Sequence, residues 1–253
     1  MLPVFFIQRI FSMDIRIIDI NEYRPQIAAL WLACFPEDDA EFIDYYISHR
    51  LIADDAVCFA AFDEKSLVSM INVIPQKTYY DNKKSLVSSG FIVGVCTHSA
   101  FRGQGISRKI MDYLSDYYGE NKALSVLQLS TEIPAFYEKS GFETYSEYCP
   151  AAFFTEEEKA NITIYTSSDM TEDLACKLLD CYEKNAKDGY FKKTIGDMWQ
   201  MADMYEEIHV VKNPENGFEK MIFVDKSYEN SKTFQMAKCL DGRFAFTGNT
   251  ENY

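Results

Sequence analysis

"VGVCTHSAFRGQGISRKIMDYL", Val93 to Leu114, changes character twice along its length. It opens as an apolar, β-branched run that reads as a strand, broken only by Gly94. A glycine inside such a strand marks a bulge or a close backbone approach. From Ile106 the apolar positions Ile110, Tyr113, Leu114 and Tyr117 recur at helical spacing. Between strand and helix lies a basic, glycine-spaced turn, Arg102, Gly103, Gln104, Gly105, Ile106 and Ser107. Glycines let successive N–H groups point into one concavity, and a helix start adds unpaired donors and a partial positive charge. Such a turn suits a phosphate or pyrophosphate, with Arg102, Arg108 and Lys109 beside it. It is neither a Walker loop, which needs GxxxxGK[ST], nor GxGxxG.

Upstream, "IRIID" reads as a strand, and Ile27, Leu30, Trp31, Cys34 and Phe35 mark one face of a helix that Pro36 closes. "EDDAEFIDYYISHRLI" reads as a second short helix. "AVCFAAF", "LVSMINVIP" and "SLVSSGFIVGVCT" follow as three neighbouring antiparallel strands. Downstream, "ALSVLQL" is a strand and "IPAFYEKSGF" a short helix, with Pro134 near its start and Gly141 placed to end it. Residues 1–150 thus read β, α, α, β, β, β, α, β, α, β.

The second half restarts with the strand "NITIYT". Two helices follow, marked by Leu174, Leu178, Cys181 and Tyr182 and by Met198, Met201, Ala202 and Tyr205. Then come the strands "EIHVVK", "EKMIFVD", "TFQMAKCL" and "RFAFT". This order repeats the opening of the first half without a glycine-spaced turn. No low-complexity linker separates the halves, so they are expected to pack together.

The 253 residues carry a formal charge of −14, with 13 basic against 20 acidic residues in 1–150 and 12 against 19 in 151–253. No basic half is hidden, so the surface repels nucleic-acid backbones and favours cationic partners. "LPVFFI" is too short for a secretory core, and no stretch approaches the roughly 20 apolar residues that span a bilayer. Residues 1–12 read as a start-site extension ahead of Met13. The seven cysteines are odd in number, dispersed and without a CxxC pair, which points to a reducing, cytoplasmic setting and to core packing. The three histidines form no metal-ligand spacing, and no metal is expected.

A bulged strand ahead of a phosphate turn leaves backbone groups free to pair with a long, extended ligand such as coenzyme A. At this point "VGVCTHSAFRGQGIS" resembles the RxxGxG or RxxGxA signature of the GNAT acetyltransferase superfamily, with Arg102 and Gly105 in register. "AFYEKSGFE" resembles the short helix that follows in the same superfamily. One departure is Ser107, where glycine or alanine is usual. The likeness spans about residues 14–150. It implies an α/β (α+β) GNAT fold, a mixed, mostly antiparallel central sheet flanked by helices, over residues 1–150. Residues 151–253 then form a smaller, truncated and degenerate GNAT-like half. "LWLACFPEDD" and that second half look most like the Eis-type branch, whose members are longer and carry a sterol-carrier-like domain.

The resemblance implies an acetyl-CoA site and an N-acetyltransferase acting on a primary amine of a small molecule or peptide by direct attack in a ternary complex. Backbone groups of Val95 and Thr97 would pair with the pantetheine arm, and Arg102, Gly103, Gln104, Gly105, Ile106 and Ser107 would hold the pyrophosphate. A backbone N–H near Val95 to Thr97 would face the oxyanion. Tyr137 is the expected general acid, since a phenol with a reference pKa of about 10 keeps its proton at neutral pH. Glu132 and His98 are the two candidates for the base. Glu37, Asp38 and Asp39 follow the first helix, where the superfamily tends to place its acceptor wall. The alternatives are a catalytically silent CoA-binding module and a tandem-GNAT aminoacyltransferase, the latter disfavoured by the acidity of both halves.

Overall fold

The computed structural model describes residues 13–212, 217–225 and 230–241. Residues 1–12 and the expected strand "RFAFT" lie outside the described residues.

The chain opens with β1 (Asp14–Ile18), α1 (Ile20–Cys34) and α2 (Ala40–Tyr46), the last running into one π-helical segment, Ile47–Ile52. β2 (Val57–Asp63), β3 (Ser66–Tyr80) and β4 (Ser85–Thr97) follow as antiparallel neighbours. Next come α3 (Ile106–Asn121), β5 (Val126–Thr131), α4 (Pro134–Glu138) and β6 (Glu143–Tyr148). The second half contributes α5 (Glu156–Lys159), β7 (Ile162–Tyr165), α6 (Glu172–Asn185), α7 (Ile195–Met204), β8 (Glu207–Lys212), β9 (Phe218–Val224) and β10 (Thr233–Cys239).

The large sheet runs β1-β2-β3-β4-β5-β10-β6 and is antiparallel except between β4 and β5; β7, β8 and β9 form a second, three-stranded antiparallel sheet. Alternation along β2 explains why Val57 to Phe62 are all apolar. Phe59 and Ala61 enter the core under α3, while Cys58, Ala60 and Phe62 enter the core under α1 and α2. In α3 the first core takes Ile106, Ile110, Met111, Leu114 and Tyr118; the expected Tyr113 and Tyr117 instead stand exposed at the flank of that face, because the buried stripe is turned toward Met111 and Tyr118. In α1 Ile27, Leu30 and Trp31 enter the second core as the spacing predicts. Met170, Leu174, Leu178, Met198 and Ile208 build a separate core in the second half.

β10 joins the two parts of the chain. It lies between β5 and β6, pairing Met236 with Leu129 on one side and Thr144 on the other. A second junction sits at the far end of β3. There Gly189 N–H donates to Tyr79 C=O and Tyr79 N–H to Tyr190 C=O, both at 2.9 Å, and Lys192 N–H donates to Lys77 C=O at 2.7 Å. Behind this seam the buried Gln128 makes a closed set of bonds. Its Oε1 accepts from Thr78 Oγ1 at 2.6 Å, and its Nε2 donates to Gly189 C=O at 2.7 Å and to Tyr145 OH at 3.0 Å.

Replacing Gln128 with leucine removes the shared partner of three groups at the seam. A buried polar group left unsatisfied costs about 1–3 kcal/mol. We expect Gln128→Leu to lower the thermal midpoint by about 2–12 °C, read by circular dichroism, given about 2–4 °C per kcal/mol at this size. An unchanged midpoint would mean that the network does not hold the halves together.

Candidate functional site

The β4 strand carries the expected bulge. Met70 pairs with Cys96 and Asn72 with Val93, so Ile71 stands opposite both Gly94 and Val95. Gly94 has φ +57°, and a Cβ there would fall 2.6 Å from the Trp31 ring and 3.0 Å from Asn72 Nδ2. The indole of Trp31 is therefore seated on the bulge. Its Nε1 donates to Asp38 Oδ2 at 2.9 Å, and its ring packs against Tyr46 with centroids 5.3 Å apart.

Beyond the bulge β4 parts from its neighbour. The parallel ladder between β4 and β5 covers only Ser89–Phe91. On the other side, His98 N–H donates to Val68 C=O at 2.8 Å, which makes the adjoining Ser69–Thr97 pair a non-hydrogen-bonded one. The Thr97 N–H and C=O thus point away from β3, into the gap that β5 has left. Thr97 C=O accepts from Arg102 Nε at 3.0 Å and from Cys34 Sγ at 3.5 Å. Arg102 closes the turn back on the end of the strand.

The turn then enters α3 through two left-handed glycines, Gly103 at φ +76° and Gly105 at φ +73°, and at neither would a Cβ meet an atom within 4 Å. Open space faces both. Gly105 is the N-cap of α3 and supplies no side-chain acceptor, so the first-turn N–H groups depend on an outside partner. Ser107 Oγ, in that first turn, is buried and makes no hydrogen bond. The Gln104 side chain instead reaches back to Ala100 C=O at 3.3 Å. Donors left open at a helix start, an open glycine cradle and an orphaned hydroxyl together fit a pyrophosphate group.

The short helix α4 carries Tyr137, which is 8% exposed and packs on Phe142 with centroids 6.1 Å apart. Burial first, and then the nearby Cys96, push its phenol up to about 12. Tyr137 thus holds its proton throughout the physiological range. Glu132 and His98 are both exposed. His98 Nδ1 accepts from Ala100 N–H at 3.3 Å, capping the short turn after β4.

Two of the three acids after α1 have distinct partners. Asp39 Oδ1 caps α2 by accepting from Phe42 N–H at 2.7 Å, while Asp38 anchors Trp31. Burial pushes the Asp38 carboxyl above its ordinary range; the Trp31 hydrogen bond works against this, and Glu37, Asp225 and Asp39 add to it. Asp225 follows β9, so the second half brings a carboxylate close to this wall.

Four contributors escaped the sequence reading. Trp31 and Cys34 read as core positions of an amphipathic helix, and nothing in the spacing distinguished their contact with β4. Asn72 is a lone amide in the run Met70–Ile74. It is buried, with Nδ2 3.5 Å from Val93 C=O and Oδ1 unpartnered, and that polarity in an apolar strand was the available signal. The fourth is the cysteine distribution: only Cys58, Cys96 and Cys181 are buried, while Cys34, Cys149, Cys176 and Cys239 are half-buried. Among the described residues no group of three or more His, Cys, Asp or Glu side chains converges as a metal site, and no helix is long and apolar enough to cross a membrane.

Residues 14–145 match the family described as Acetyltransferase (GNAT) domain. A comparison with curated proteins finds no match. Among solved structures, a probable N-acyltransferase from Enterococcus faecalis is similar with a TM-score of 0.63 at 11% identity, covering 91% of this chain and 73% of that one. A GCN5-related N-acetyltransferase from Anabaena variabilis gives 0.61 at 9%, covering 90% and 73%. Eis1 from Mycobacterium abscessus gives 0.54 at 14%, covering 80% of this chain and 51% of that one. At these identities the likeness is one of fold.

The glycines of the strand and of the turn carry different constraints. Gly94→Ala strains a left-handed backbone and drives a methyl group into Trp31, whereas Gly103→Ala and Gly105→Ala incur only the backbone cost of about 1–2 kcal/mol. We expect Gly94→Ala to be the most destabilising of the three in urea unfolding, by about 2–4 kcal/mol, and to change Trp31 fluorescence. Equal losses at all three sites would remove Trp31 from its place as the buttress of the bulge.

Proposed function

The chain belongs to the GNAT acetyltransferase family, and on that premise we propose that it is an acetyl-CoA-dependent N-acetyltransferase that acts on the primary amine of a small molecule or peptide by direct attack in a ternary complex. The observation that carries this reading furthest is the start of α3, where the Gly105 cap leaves first-turn donors open and the buried Ser107 hydroxyl has no partner. Gly103, Gln104, Gly105, Ile106 and Ser107 would hold the pyrophosphate by main-chain N–H groups, with Arg102 at the mouth of the turn. Backbone groups of Val95 and Thr97, along the edge that β5 leaves uncovered, would align the pantetheine arm.

Acetyl-CoA supplies the activated acyl thioester. The protein orients it against the bulge, where a main-chain N–H at or near Val95 faces the carbonyl oxygen on which negative charge develops. Tyr137, neutral and buried opposite, keeps a proton for the departing sulfur. Glu132 or His98 would take a proton from the incoming ammonium, a step that matters because a lysine-like amine is only about one part in a thousand neutral at pH 7. Glu37, Asp38 and Asp39, joined by Asp225, would draw a cationic acceptor toward the bulge. In this reading residues 1–150 form the catalytic unit, and residues 151–253 form a second unit that returns β10 to the large sheet and lends Asp225 to the acceptor side.

Titration calorimetry with acetyl-CoA is expected to give a Kd on the order of micromolar. Gly105→Glu, which places a carboxylate in an open cradle, is expected to abolish the binding while leaving the far-ultraviolet spectrum unchanged. No binding by either protein would overturn the coenzyme reading.

Tyr137→Phe is expected to bind acetyl-CoA as before and to lower kcat roughly 100-fold in a thiol-release assay over an amine panel. Because burial holds the phenol near 12, activity of the unmodified enzyme should not fall through Tyr137 ionisation below about pH 10. Full turnover by Tyr137→Phe would remove the acid role, and binding without turnover on any amine would leave a silent coenzyme-binding module.

A further inference from the structure

The molecule contains a second cluster of reactive groups that acetyl transfer does not use. Cys34 is the last residue of α1 and is half-buried, whereas Cys96 lies in β4 and is fully buried against the core under α1 and α2. Cys34 packs against the core cluster that contains Cys96, and its Sγ donates to the C=O of Thr97, the residue next to Cys96, at 3.5 Å. Arg102 and Cys34 both meet Thr97 C=O, Nε at 3.0 Å and Sγ at 3.5 Å, which puts the guanidinium beside the sulfur. We propose that Cys34 and Cys96 form an oxidisable thiol pair, in which a hydroperoxide oxidises Cys34 and Cys96 closes a disulfide that ties the end of α1 to β4.

The surroundings assign the two roles. Cys96 beside it is the largest influence on Cys34 and lowers it. Burial opposes this, and Arg102 and the Thr97 backbone reinforce it, so the Cys34 thiol, which donates to Thr97 C=O while protonated, falls to about 6 and ionises readily. The neighbouring Cys34 and burial both raise the Cys96 thiol, so the proton stays there. A solvent-reachable thiolate beside a protonated partner thiol is the arrangement that favours sulfenic acid formation followed by resolution. Cys58 and Cys181 have no such partner pattern, and burial pushes them up to about 12 and about 11.

The steps balance. The Cys34 thiolate attacks one oxygen of the peroxide, the O–O bond breaks, and the departing oxygen leaves as hydroxide, which takes a proton from solvent to become water. Sulfur is oxidised by two electrons and carries OH. The Cys96 sulfur then attacks the Cys34 sulfur, the S–O bond breaks, and the Cys96 proton leaves with the hydroxyl as a second water. In a reducing compartment such a disulfide is transient, as regulatory disulfides are.

The experiment is independent of the acetyl-transfer reading. Full-length reduced protein is treated with hydrogen peroxide, quenched with iodoacetamide and digested with trypsin without reduction. The expected product is a linked pair of peptides, residues 17–50 joined to 85–102, together with the loss of two hydrogens from the intact mass. Cys34 should be consumed at least about tenfold faster than the half-buried Cys176. Cys34→Ser should form no link, and Cys96→Ser should stop at a Cys34 sulfenic acid that dimedone captures. The proposal is overturned if Cys34 reacts no faster than Cys176. A Cys96 link to Cys58, in residues 51–65, or a failure of dimedone to label Cys34 in Cys96→Ser would overturn it as well.

Discussion

Everything near the candidate site depends on the seating of Trp31 over Gly94. A left-handed glycine lets β4 hold one more residue than β3 opposite it, and the indole occupies the space that a Cβ would need. The bond from Trp31 to Asp38 fixes the ring, and Asp39 caps α2 one residue later, so a single short link sets both the bulge and the next helix. The interaction is mutual. The ring has room only because residue 94 lacks a side chain, and the bulge keeps its shape only because the ring is buried against it.

The second constraint is the departure of β4 from β5. Two strands that separate leave unpaired main-chain groups, which in a protein interior must be satisfied or exposed to a ligand. Here Arg102 and Cys34 turn toward the end of that edge, and β5 is stabilised from its other side by β10. Without β10, β5 would lose six residue pairs on that side and β6 would lose its ladder partner in the large sheet. The second half of the chain is therefore part of what holds the gap open.

Much of this was legible in the sequence because periodicity and glycine placement are local. The strand–turn–helix at Val93–Leu114, the antiparallel β2 to β4 and the amphipathic α1 and α3 follow from short contiguous runs. The insertion of "TFQMAKCL" between β5 and β6 was not legible, because a strand's own pattern does not say which edge it will fill. Nor was the Gln128 network, where a single polar residue in the apolar "VLQL" waits for Thr78, Tyr145 and Gly189 from three other segments. The acids show the same limit at finer scale. Glu37, Asp38 and Asp39 look alike in sequence, yet one binds the indole and one caps a helix, a difference set by tertiary contact alone.

Trp31 and Cys34 stand three residues apart and so share one face of α1. That face meets β4 at two points, the indole on the bulge and the thiol at Thr97 C=O. The segment that follows carries Glu37, Asp38 and Asp39. A change in the position of the last turn of α1 must therefore move the bulge and the strand end together, and it shifts the start of the short loop on which the acids sit. Of the residues on this face only Cys34 can form or break a covalent bond within the chain, and its partner, Cys96, lies on the very strand whose shape Trp31 maintains. The proposed thiol pair and the bulge of β4 therefore meet at a single helical turn.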